Sequence, residues 1–267
     1  MKMLYKPSIW LPLLSLVVVL GGWEVVGRSI NPLLFAPPSE VIKQLNVMIA
    51  SGELAAAAKI TMQALFLGYL LAVVVGIPFG IIMGIFDRFG DILQPYLYAI
   101  FSTPRVVVVP LIVVWFGIGF EARLFLVFFW SMIAISVNTA QGVRHARPDL
   151  IEVAQSFQAN RMQMARHVLI PGAIPFVASG LRIGAERAIV GVIIGEMFLQ
   201  IVGLGGVITK GSTELLPAKM LCAVAVIAVL GTIIVTSLDT FEKRFQSWKG
   251  KALLHPRPDN IVWPGMQ

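Results

Sequence analysis

The stretch EVAQSFQANRMQMARHVLIP, Glu152 to Pro171, decides how this chain is read. It carries four ionisable side chains, Glu152, Arg161, Arg166 and His167, and it closes on a proline. Long apolar runs lie on either side. A helix crosses the hydrocarbon core of a bilayer with about 20 apolar residues, so the flanking runs read as membrane spans. The charged stretch is expected to lie in water, outside the bilayer, as the part that touches a cytosolic partner.

Composition supports this. Of 267 residues, 57% are hydrophobic and 13% are charged, whereas soluble domains carry about 25% charged residues. The fold expected is an all-α integral membrane protein. Candidate spans fall at roughly residues 8–27, 60–86, 92–118, 122–142, 176–201 and 217–239, six in all. The third is interrupted by Pro104 and Arg105, so 92–103 reads as a half-helix with Val106 to Ile118 going deeper. The first is read as a retained span, because Trp23, Glu24 and Arg28 follow it without a small-x-small cleavage site. Cys222, the single cysteine, forms no intrachain disulfide and reads as a small core residue.

With six spans, twelve lysines and arginines gather on one side, among them Lys2, Arg88, Arg144 and Lys243; six gather on the other. Positive residues are retained in the cytoplasm. Both termini and the 143–175 insertion are therefore expected on the cytoplasmic side of the membrane. The net charge of +7 reflects this topology; the basic residues are dispersed, with no aromatic-interleaved patch, so no nucleic-acid partner is expected.

Between the first two spans, NPLLFAPPS (Asn31 to Ser39) reads as extended. Ser39 is expected to cap an amphipathic helix with Val41, Ile42, Leu45, Met48 and Ile49 at helical spacing. In the second span Gly68, Ala72, Gly76, Gly80 and Gly84 recur every four residues, a ladder that lets helices approach closely in lipid. The fifth span carries Arg182, Glu186, Arg187 and Glu196. Charges at membrane depth are costly and face a bundle interior or a water-filled cavity. Arg182 and Glu186 stand four apart and can pair on one face, either as a structural ion pair or as part of a translocation path. Arg105 has no carboxylate within helical reach. A lone arginine there needs backbone carbonyls, water or an anionic ligand, unless it snorkels to the surface. Arg105, Arg182, Glu186, Arg187 and Glu196 are thus the candidate path residues.

Catalytic constellations are missing. No Walker pattern occurs, so the glycines at 203–206 are not read as a phosphate loop. His145, His167 and His255 show no metal-ligand spacing, and no nucleophile elbow is present. Neither enzyme activity, bound cofactor nor metal is expected, and any ATP-derived energy must come from a partner subunit.

The insertion also resembles a known pattern. Glu152-Val153-Ala154 and Val168-Leu169-Ile170-Pro171 match, without a gap, the EAA loop of permease subunits of ATP-binding-cassette importers: EAA, three residues, Gly, nine residues, I-x-L-P. SGLRIGAERAIVGVIIGEM, APPSEV and VVPLIVVWFGIG are similar to the nitrate/sulfonate/taurine branch. The resemblance runs from about residue 9 to 245. It departs at Val153, Val168 and Ile170, and more seriously at Gln158, where the family has a turn glycine. Asn160 also tolerates the left-handed region, so the turn is placed at Gln158 or displaced towards Asn160.

The resemblance implies a division of labour. Two permease subunits, expected to be identical copies, form the path; two ATPase subunits sit beneath; an extracytoplasmic binding protein delivers solute. The EAA loop would be the coupling helix, with Phe157 and Met162 as apolar anchors and Glu152, Arg161 and Arg166 as polar rim. Ala154, Gln158 and Pro171 complete its candidate residues. The organisation expected is 1–27 with the first span, 28–59 outside the membrane, 60–245 as permease core, and 246–267 as a basic cytoplasmic tail. The solute is expected to be a small anion: a sulfonate, nitrate, bicarbonate or an organic carboxylate. A thiamine precursor, neutral or cationic, is the runner-up, and a self-sufficient secondary transporter or channel is the alternative class.

Overall fold

In lipid every backbone polar group must find its partner inside the segment or a neighbouring one, which leaves helices as the economical solution. The computed structural model describes residues 10–246, and all its regular elements are helical. They are α1 (Trp10–Ser29), α2 (Pro38–Ala50), α3 (Glu53–Ile85), α4 (Asp87–Ser102), α5 (Arg105–Phe116), α6 (Phe120–Arg144), α7 (Pro148–Ser156), α8 (Arg161–Met164), a π-helical turn (Ala165–Leu169), α9 (Ile170–Phe198), α10 (Gly203–Thr213) and α11 (Pro217–Gln246). Five helices are long and apolar enough to cross a membrane, and α4 with α5 makes a sixth candidate bent by 102°. The basic tail from residue 247 on lies outside the described residues.

Several boundaries differ from those expected. The second span starts at Glu53, not 60. Four alanines (55–58) favour helix, Glu53 complements the N-terminal dipole, and Gly52, at φ +74°, makes the left-handed turn out of α2. Ser39 is not the cap of α2. That position falls to Pro37, while Ser39 donates through its amide (3.0 Å) and hydroxyl (2.7 Å) to Glu24 of α1. The fifth span, expected at 176–201, runs continuously from Arg161 to Phe198. Proline at 171 has no amide and would clash with the carbonyl four residues back. Widening the turn over Ala165–Leu169 removes that clash, so Pro171 sits inside the helix instead of ending it.

The chain divides into two compact units. One comprises 62–195 and 230 onward, the other the segments up to 61 and 196–229. In the first, α6 is the centre. Its Leu126, Trp130, Ile133 and Ile135 are buried, and helices close on it from two sides through small residues. From α3, Gly76 lies where a Cβ would stand 3.1 Å from the Met132 carbonyl, and Gly84 where it would stand 2.5 Å from Val143. From α9, Gly184 meets Ile135 and Gly191 meets Leu126. Ser136 donates to the Gly76 carbonyl across the α3–α6 seam (3.0 Å). The four-residue ladder is thus a packing face, since close backbone approach replaces the hydrophobic drive in lipid.

In the second unit Trp23 donates to the Ala36 carbonyl (3.1 Å), Lys219 pairs with Glu53 (2.7 Å), and Cys222 is buried with its thiol against the Val41 carbonyl. Along α1 the large apolar side chains from Trp10 to Val19 are exposed. A patch of that extent marks a lipid or protein contact.

Candidate functional site

The first candidate is the segment from α7 to the π turn. Arg147 and Asp149 pair at its start. The guanidinium holds the Asp149 carboxyl below the usual carboxylate range, and the carboxylate raises Arg147 in turn. Ile151, Met164 and Leu169 bury themselves with Val143, Ala146 and Ala173, and Ala154 packs on the same cluster. The opposite face carries Phe157, 83% exposed, and Met162, 74% exposed. Beside Met162 an apolar cavity of about 210 Å³ is lined by Ile85, Phe86, Arg161, Met162, Met164, Ala165 and Leu169. Glu152 and Arg166 are exposed, and Pro171 is half-buried. The segment is therefore anchored on one side and presents two large apolar side chains among charged and polar ones on the other.

The turn in this segment falls at Gln158 itself, at φ +54°. Asn160 does not take over the left-handed conformation; at φ −72° it caps α8, its Oδ1 accepting from the Gln163 amide while Gln163 Oε1 accepts from the Asn160 amide. A non-glycine residue in that region costs about 1–2 kcal/mol, and the capping box on its far side offsets part of that cost.

The second candidate lies where α4 and α5 part. Thr103 is extended ahead of Pro104, as a residue before proline must be, and Arg105 becomes the first residue of α5. Its guanidinium lies 5.6 Å from the ring centroid of Trp130 on α6. Arg187 on α9 lies 4.6 Å from the ring of Phe101 on α4. The two arginines are close enough for their like charges to interact.

The remaining path residues are placed differently. Arg182 pairs with Glu186 (2.9 Å), as the four-residue spacing allows, but also with Glu242 of α11 (2.8 Å); Ser179 donates to the same Glu242 (2.6 Å). This is a latch between α9 and α11. Glu196, expected to line a path, is fully buried. It accepts from Thr61 (2.9 Å) and from the Gly205 amide (3.0 Å), while Thr61 accepts from the Leu204 amide (2.9 Å). A carboxylate at the start of α10 is favoured by the dipole. Gly203, at φ +63°, leaves no room there for a side chain beside the Glu196 carboxylate, and a Cβ at Gly206 would meet the Ile201 backbone at 2.7 Å. Glu242, Thr61, Trp130 and Phe101 were not singled out from sequence. Only Trp130 carried a signal: a tryptophan within a span, away from the interfacial belts where tryptophan concentrates.

A family model described as "Binding-protein-dependent transport system inner membrane component" matches residues 76–247. Among curated relatives, the taurine transport system permease protein TauC of Escherichia coli (strain K12) is 30% identical over 249 residues, 89% of each chain. SsuC of Bacillus subtilis (strain 168), provisionally named an aliphatic sulfonates transport permease protein, is 26% identical over 93% of this chain and 88% of its own. The formylaminopyrimidine transport permease protein ThiX of Halalkalibacterium halodurans is 22% identical over 90% of this chain and 96% of its own. Among solved structures, an inward-facing MetNI methionine ABC transporter chain superposes with a TM-score of 0.62 at 19% identity, over 72% of this chain and 95% of that one.

Proposed function

Because the chain belongs to the binding-protein-dependent transport system inner membrane component family, and is an ATP-binding-cassette importer permease of the nitrate/sulfonate/taurine type, we propose that it forms the translocation path for a small anionic solute and is driven through the 152–171 loop. One observation carries the drive. Phe157 and Met162 stand out from a segment whose other face is locked into the core by Ile151, Met164 and Leu169. Apolar side chains held rigidly in water suit a protein groove, and fixing them in advance lowers the ordering cost of docking. Two separate ATPase subunits would bind these faces on two identical permease copies, with both termini of each copy cytoplasmic. An extracytoplasmic binding protein would supply solute. ATP-driven closure would then rock the spans between two access states.

The anion rests on the names carried by TauC and SsuC and on the charges of Arg105 and Arg187, for which no ion-pair partner lies among the described residues. ThiX favours a second reading, a neutral pyrimidine, which leaves those two cations without a task. The test is uptake in cells expressing the complete importer, with labelled ethanesulfonate and formylaminopyrimidine offered separately. ATP-dependent entry of the sulfonate, with an ATPase co-purifying at equal stoichiometry, is expected. Entry without ATP, or with no ATPase bound, would return the chain to the class of secondary transporters.

A further inference from the structure

We propose that Arg105 and Arg187, with Trp130, form the site that recognises the anionic head group of the solute at the break between α4 and α5. The proposal rests on the anion-importer reading and gives it a place and a chemistry. Neither arginine makes a hydrogen bond or ion pair with another described residue, although the two like charges face a common neighbourhood. Uncompensated cations at membrane depth persist where a path or ligand needs them.

The geometry indicates what kind of ligand. Each guanidinium lies over an aromatic ring, Arg105 over Trp130 and Arg187 over Phe101. A cation over a ring face uses none of its N–H donors, so both guanidinium forks remain for a bidentate acceptor. Arg187 Nε is buried and donates to no described acceptor. Trp130 is 1% exposed and its Nε1 is likewise unpartnered, where buried donors are ordinarily satisfied. Arg105 also opens α5, so the positive end of a twelve-residue helix dipole adds to the same place. Two forks, an indole donor and a helix N-terminus suit an oxyanion with at least three acceptor oxygens on a small organic body. A sulfonate has that form. The phosphate of a lipid head group shares the chemistry, and the test separates the two.

The experiment compares ethanesulfonate with its neutral counterpart ethanesulfonamide in cells carrying the full importer, for the unmodified chain and for Arg105→Gln, Arg187→Gln and Trp130→Phe. Losing one charge-assisted hydrogen bond lowers affinity about 10- to 100-fold. Each arginine variant should lose sulfonate uptake by that factor and with it the preference for sulfonate over sulfonamide, while membrane abundance and ATPase co-purification stay unchanged. Trp130→Phe, which keeps a ring and loses the donor, should lose several-fold. Sulfonate uptake that is normal in the unmodified chain and equally selective in all variants overturns this site alone. Exclusive uptake of neutral solutes by the unmodified importer overturns the anion reading and the site together. As a second measurement, ethanesulfonate should raise the melting temperature of the purified permease–ATPase complex in phosphate-free maltoside, and not that of Arg187→Gln. Stabilisation by anionic phospholipid but not by ethanesulfonate would identify a lipid site and overturn the proposal.

Discussion

Replacing Phe157 by alanine separates docking from folding. An aromatic side chain offers about 150–250 Å²; at 83% exposure roughly 170 Å² of Phe157 is open to a partner. At about 25 cal/mol per Å² its burial in an ATPase groove is worth about 4 kcal/mol, less about 1 kcal/mol for immobilising the side chain. The remaining ~3 kcal/mol is about 100-fold in dissociation constant. The folded subunit should be unaffected, because Phe157 contributes little to its own core. Ile151→Ala supplies the contrast: that side chain is fully buried in the cluster beneath, and its loss should cost about 2–5 kcal/mol of fold stability. The assay titrates purified ATPase onto permease in nanodiscs and records the melting temperature of each variant in parallel. Phe157→Ala that binds the ATPase as tightly as the unmodified chain would refute the reasoning, and so would a melting temperature lowered as far as that of Ile151→Ala.

Three further outcomes are expected. Gly80→Leu should cost at least about 1–3 kcal/mol, because even a Cβ would stand 2.5 Å from the Ser136 carbonyl and 2.6 Å from Thr139; membrane abundance should fall, while Gly21→Leu, with nothing within 4 Å, should leave it unchanged. Glu196→Ala strips the acceptor from the buried Gly205 amide, while the Thr61 hydroxyl keeps the Ala57 carbonyl; it should cost about 1–3 kcal/mol for the donor left bare, seen as a lower melting temperature, with Gly203→Ala also lowering it by overlap with the carboxylate. Gln158→Gly should relieve the left-handed strain and stabilise the subunit by up to about 1 kcal/mol, with uptake unaltered.

How much of this was legible in the sequence depended on the range of the interaction. The glycine ladder and the break at Pro104 are written locally: small residues every fourth position need a helix to pack on, and proline dictates the conformation of Thr103. The Arg182–Glu186 pair was visible as a four-residue spacing. Glu242, the other half of that latch, stands 60 residues from Arg182 and nothing near it announces the contact. Arg105 was conspicuous as a cation without a carboxylate, but its place over Trp130 of α6 comes from tertiary packing. Glu196 looked like a path residue because a lone buried carboxylate usually serves function; its partners on Thr61 and the start of α10 come from tertiary structure. Pro171 misled because proline ordinarily punctuates a helix, and one wider turn absorbed it.

That wider turn has a mechanical consequence. With Pro171 absorbed, the piece that would meet the ATPase and the shaft that crosses the membrane are one rod, from Arg161 onward, with no universal joint between them. A push at Met162 would then travel along one helix towards Arg182, with no loop in between to take it up. Two or three glycines inserted after Leu169 would act as a clutch: the engine would still turn over, and the wheel would stop.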